Sequence, residues 1–71
     1  MTISYKKLWH KLLDHNMTKT DLQKAAQLSW TSIGKLNRGE SIGTGVLLRI
    51  CTVLKCDIAD IMEFEKNEID V

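Results

Sequence analysis

Residues 17–39 read Met17-Thr18-Lys19-Thr20-Asp21-Leu22-Gln23-Lys24-Ala25-Ala26-Gln27-Leu28-Ser29-Trp30-Thr31-Ser32-Ile33-Gly34-Lys35-Leu36-Asn37-Arg38-Gly39, and this stretch decides the fold. It contains two helix starts. At the first, the Thr18 hydroxyl is placed to accept a backbone N–H, and Asp21 stands three residues on. Met17 and Leu22 there have the spacing of a hydrophobic staple, an apolar residue before the cap packing on one in the first turn. At the second, Ser29 is the cap, with Leu28 and Ile33 as the staple. Leu22, Ala25 and Ala26 supply an apolar face with small residues where two helices approach, and Leu28, Ile33 and Leu36 tie the second helix to the same core. The stretch therefore predicts two short helices, 18–26 and 29–37, joined by a tight turn.

The same spacing recurs downstream, where Ile42 and Leu47 flank Gly43 and Cys56 and Ile61 flank an Asp57 cap with Asp60 at the third helical position. Upstream, Tyr5, Leu8, Trp9, Leu12 and Leu13 follow i, i+3, i+4, i+7, i+8, with Lys6, Lys7, Lys11 and Asp14 off that stripe, until His15 and Asn16 break it. The prediction is an all-α fold of five helices at 4–14, 18–26, 29–37, 43–55 and 57–63. Gly39 ends the third as a left-handed residue after Asn37 and Arg38. The fourth is apolar nearly all round (Val46, Leu47, Leu48, Ile50, Cys51, Val53, Leu54) and is expected to be the buried central helix. Residues 1–64 form the domain. The acidic tail 65–71 frays unless Ile69 and Val71 pack on a neighbour.

At 71 residues, 44% apolar and 27% charged, the chain holds one small soluble domain. A domain of this size buries only roughly 60% of its unfolded surface, so a homodimer interface would add stability, and Ile58, Met62, Phe64 and Ile69 are candidates to line it. Cys51 and Cys56 are too few for a disulfide scaffold, and Met1-Thr2-Ile3-Ser4 does not open a secretory leader, which points to the reducing cytoplasm. Val46–Cys51, the longest apolar stretch, is interrupted by Arg49, so no membrane span is expected. Cys51, Cys56, His10 and His15 have poor spacing for zinc, and the two cysteines fit core positions better. Asp57 and Asp60 are explained by capping. With no nucleophile–base pair, glycine-rich phosphate loop or paired catalytic acids, the chain does not read as an enzyme. No cofactor, metal or small-molecule ligand is expected. No effector module is expected after the last predicted helix, so regulation is expected to come through occupancy, abundance or a protein partner.

The formal charge of +1 hides an asymmetry. Residues 1–38 hold seven basic side chains against two acidic ones, a balance of +5; residues 39–71 hold three against seven, a balance of −4. The basic half carries the two short helices, whose spacing is that of a helix-turn-helix, a motif that lays its second helix in the DNA major groove. Double-stranded DNA is thus the expected partner, approached from the basic side. With Ile33 and Leu36 facing inward, the roughly 100° advance per residue points Thr31, Lys35 and Arg38 outward. Ser29, Trp30, Thr31 and Ser32 occupy the first turn, where hydroxyls bond base or phosphate and an indole touches a thymine methyl. Bland readings stand beside these: Trp30, only about 60° from Ile33, also fits the core edge. Ser29 caps whatever else it does, and Thr31 and Lys35 also read as a solvated face. Lys6, Lys7, Lys19 and Arg38 serve as phosphate contacts or as plain surface charges.

Met17-Thr18-Lys19-Thr20-Asp21-Leu22, Leu28-Ser29 with Ser32-Ile33, Leu36-Asn37-Arg38-Gly39, and Leu48, Ile50, Cys51 and Leu54 together resemble the Cro/CI-type, phage-repressor-like (XRE) helix-turn-helix family over about residues 5–64. The resemblance implies a five-helix domain that usually binds operator DNA as a homodimer. It puts the third helix in the major groove and the starts of the second and fourth near phosphates, which adds Thr18 and Lys19 to the candidates. Two positions depart from the family pattern: Gln27 stands where glycine is most frequent in the turn, and Trp30 where a polar residue is usual. A left-handed Gln27 would cost about 1 kcal/mol relative to glycine. The function so implied is a sequence-specific transcriptional regulator, a repressor on paired half-sites. The alternative is an antitoxin-like or accessory interaction module whose Trp30 surface grips a protein.

Overall fold

A computed structural model describes residues 1–66. Strand β1 (Thr2–Ser4) leads into helices α1 (Lys6–Asp14), α2 (Lys19–Ala25), α3 (Trp30–Arg38) and α4 (Thr44–Leu54). A 3-10 turn (Ile58–Asp60) and strand β2 (Glu63–Glu65) follow. Each helix start marked by a staple lies where the spacing put it. Thr18 Oγ1 accepts from Asp21 N at 3.1 Å while the Asp21 carboxylate accepts from Thr18 N at 2.9 Å, a reciprocal box that satisfies two otherwise orphaned donors. Ser29 Oγ accepts from Ser32 N at 3.1 Å, and Asp57 with Asp60 repeats the box before the 3-10 turn. Gly43 precedes α4 in extended conformation with no side chain to contribute. The inner members of the staples, Leu22, Ile33, Leu47 and Ile61, are all buried.

The core gathers one or more residues from every helix: Leu8 and Leu12 of α1, Leu22 of α2, Ile33 and Leu36 of α3, Leu47, Ile50 and Leu54 of α4, with Tyr5, Ala26, Leu28 and Ile61 between them. The observed elements differ from the sequence reading at several places. The described residues form four α-helices, not five, and the fold is not purely helical. The segment expected as helix 57–63 makes a single 3-10 turn that drives Ile61 into the core, after which the chain extends and pairs antiparallel with β1 in the register Thr2↔Glu65, Ile3↔Phe64, Ser4↔Glu63. For the same reason α1 starts at Lys6 rather than residue 4, because Ser4 belongs to the strand. Helix α4 is not buried all round: Leu47, Ile50 and Leu54 face inward, while Leu48 is 68% exposed. The α1 stripe likewise stops at Leu12, leaving Leu13 72% exposed. Ala25 is exposed too, and Ala26 alone of that pair reaches the core. Glu65, first residue of the expected tail, ends β2; Ile69 and Val71 lie outside the described residues.

Two turns carry left-handed residues that shape the exit and entry of α3. Gln27 adopts φ 55° between α2 and α3, the conformation the turn was expected to demand. Gly39 ends α3 at φ 69°, and Glu40 N then bonds back to Lys35 O at 2.9 Å, the closing bond of a Schellman cap. Glycine is required there twice over, since a Cβ would also stand 2.9 Å from the Ile3 carbonyl oxygen of β1. Gly39→Ala is expected to destabilise the domain by more than about 1 kcal/mol, combining left-handed strain with the clash. Thermal unfolding followed by circular dichroism checks this, and an unchanged Tm would contradict it.

Candidate nucleic-acid interface

Helix α3 is presented by its own inner face. Ile33 and Leu36 dock in the core, so the helical advance leaves Thr31, Lys35 and Arg38 exposed. Trp30 is 58% exposed, which corrects the core-edge reading: as first residue of α3 its indole stands off the end of the packed face. Ser29 and Ser32 are both engaged in the cap, with their hydroxyls 3.1 Å apart. Ser29 is exposed and Ser32 half-buried. Together these residues form one continuous outer surface from the α3 cap to its last turn.

Thr18 and Lys19 lie at the start of α2. Thr18 is exposed but its hydroxyl is committed to the capping box. Lys19 extends across two neighbours: its ammonium lies 4.3 Å from the Trp9 ring centroid and 2.5 Å from Asn37 Oδ1. That position ties α1, α2 and the end of α3 together and sets the cation beside the candidate surface. The attraction of the ammonium for the indole face is worth about 0.5–1 kcal/mol at an exposed site.

Not every basic residue of the first half joins this surface. Lys6 and Lys7 turn toward β2, 3.9 Å from Glu65 and 3.6 Å from Glu63, and Lys7 also donates to Ala59 O. Arg38 pairs through Nε with Glu40. Lys35 makes no ion pair among the described residues. Arg49, counted in the acidic half, reaches back from α4 and donates to Gln27 O at 3.2 Å, bracing the turn between α2 and α3. Sequence reading missed Trp9, Asn37, Glu40 and Arg49 as partners of this surface. Local spacing does not announce contacts such as Lys19 to Asn37 or Arg49 to Gln27, made between different helices.

Cys51 and Cys56 are free and partly buried; burial, and then the neighbouring Cys56, push the Cys51 thiol up. Among the described residues no three His, Cys, Asp or Glu side chains converge as a metal set, and no helix is long and apolar enough to cross a membrane.

The domain model for Cro/C1-type helix-turn-helix DNA binding matches residues 7–67. The chain belongs to the Cro/C1-type family. A crystal structure of the transcriptional regulator VanUg is similar to it with a TM-score of 0.85 and 42% sequence identity, covering 87% of this chain and 83% of that one. No curated protein matches it. Within this Cro/C1-type domain α2 and α3 are the helix-turn-helix pair, and the chain is a DNA-binding regulator by type. The Thr18–Asp21 box caps the first helix of the pair. Hydrogen bonds from the Thr18 backbone and then its side chain hold the Asp21 carboxyl below the usual aspartate range. Because the folded-state value is depressed, its stabilisation is present above the unfolded carboxyl pKa and is lost as pH falls through the folded value. Thermal stability should therefore fall on acidification below about pH 4, and Asp21→Asn should flatten that fall. Tm measured across this range in both proteins tests it; identical slopes would contradict it.

Proposed function

We propose that the protein is a sequence-specific transcriptional repressor that lays α3 in the DNA major groove and binds as a homodimer to two half-sites about one helical turn apart. One observation carries the reading: Trp30, Thr31, Lys35 and Arg38 stand exposed on α3 while Ile33 and Leu36 lock its other side into the core. In this reading the first-turn residues Ser29, Trp30, Thr31 and Ser32 meet base edges and nearby phosphates, with the indole against a thymine methyl. Lys35 reads guanine, and Thr18 and Lys19 meet phosphate at the start of α2, Lys19 exchanging Asn37 for a phosphate oxygen. Membership of the Cro/C1-type family supports DNA as the ligand, and the likeness to the regulator VanUg supports a regulatory role. Residues 1–64 are the binding domain, acting in the cytoplasm by occupancy and not by catalysis. The exposed apolar side chains Leu48, Ile58 and Phe64 supply surface for the homodimer.

The exposed indole of Trp30 also favours a second reading, an interaction module that grips a protein partner. Duplexes selected from random sequence and titrated with salt separate the two. DNA binding should weaken steeply from low to physiological salt, with a slope that counts the phosphates neutralised; absence of binding at low salt would overturn the repressor reading. Lys35→Ala is expected to cost about 1–3 kcal/mol and to relax preference at one base pair, whereas uniform weakening would restrict Lys35 to phosphate. A monomer by sedimentation, both free and on DNA, would remove the homodimer.

A further inference from the structure

Gly34 sits in the interior of α3, where glycine weakens a helix relative to alanine, and nothing in the fold requires it. Its φ is not positive, and the three nearest heavy atoms to a Cβ built there all belong to the Arg38 guanidinium, Nη1 at 3.1 Å and Cζ and Nη2 at 3.8 Å. Side chains on a helix lean back toward its N-terminus, so Arg38, at i+4, lies over the bare backbone of Gly34. On the helix surface Gly34 falls between Trp30 and Arg38, roughly 40° from each, on the outward side of α3. The guanidinium is thereby carried from the last turn of α3 back toward the middle of its exposed face.

Glu40 holds it there. Its carboxylate accepts from Arg38 Nε. The Glu40 backbone is itself fixed from two sides, its carbonyl accepting from the hydroxyl of buried Tyr5 at 2.8 Å and its N–H donating to Lys35 O at 2.9 Å. Among the described residues Nη1 and Nη2 have no protein acceptor. An Arg–Glu pair carries no net charge, so it is a poor anchor for phosphate, whose attraction scales with charge neutralised. A guanidinium fixed at Nε with its two outer nitrogens free is suited instead to a directional partner, the O6 and N7 acceptors of guanine.

The geometry points to Arg38 as a guanine-reading residue, with Gly34 and Glu40 as the positioning residues that aim it. This rests on the DNA-binding reading above and deepens it. The test measures binding of the full chain to a duplex selected by the unaltered protein and to a panel replacing each base pair in turn. Arg38→Ala should lose roughly tenfold on the selected duplex and lose discrimination at one G·C pair alone, and Arg38→Lys should not restore it. Gly34→Ala should lose affinity and that same discrimination while raising Tm by a few degrees, which shows that the variant folds. Glu40→Gln should blunt the same position. Gly34→Ala binding as tightly and selectively as the unaltered protein would overturn the positioning. Equal weakening of all duplexes by Arg38→Ala, with a shallower salt slope, would make it a phosphate contact and overturn the guanine assignment. If the unaltered protein binds no DNA even at low salt, the repressor reading itself falls and this one with it.

Discussion

The joint burial of Leu8, Leu22, Leu36, Ile50, Leu54 and Ile61 holds this domain together. The helices that supply five of them run from 7 to 11 residues, shorter than the roughly 12–15 at which an isolated helix becomes even marginal in water. None is therefore stable by its own hydrogen bonds. Each persists because its apolar face finds the others. The outward surface of α3 is a consequence of this: docking Ile33 and Leu36 fixes the rotation of the helix, and that rotation exposes Thr31, Lys35 and Arg38. A loss in the shared core would blur the candidate interface before touching any residue of it.

Around that core the chain ends act as braces. The pairing of β1 with β2 joins segments about sixty residues apart, and Lys6 and Lys7 reinforce it through glutamates of β2. Exposed ion pairs of this kind contribute at most about 1 kcal/mol each, so their larger effect is on charge distribution. They withdraw two lysines from the basic half and leave Lys19, Lys35 and Arg38 nearest to α3. The N-terminal segment also governs how α3 ends: the Ile3 carbonyl closes off space beside Gly39, and the Tyr5 hydroxyl holds Glu40. What looks like a peripheral strand thus shapes the surface of the helix-turn-helix.

The starts of α2, α3 and α4, the Thr18 and Ser29 caps, the left-handed Gln27 and Gly39 and the inward face of α3 were legible in the residues. The reason is that each depends on chemistry within a few positions: a hydroxyl reaching the third N–H, an apolar pair five apart, a glycine after the last turn. The short strands were not legible, since three residues with no alternation of note become a strand only through a distant partner. The same holds for the last predicted helix. Its capping box was real, but Ile61 needed the core and residues 63–65 needed β1, and these demands cut the helix to one 3-10 turn.

For the candidate site the division is similar. The sequence alone determined which residues of α3 face outward, because helical periodicity converts two buried positions into an exposed arc. Only the tertiary structure decided how the charges on that arc are committed. It stacks Lys19 on Trp9 and bonds it to Asn37, pairs Lys6 and Lys7 away from α3, leaves Trp30 in solvent, and lays Arg38 across Gly34 against Glu40. Long flexible side chains choose among several partners within reach. That choice is set by which backbone segments packing brings near, which residue order does not state.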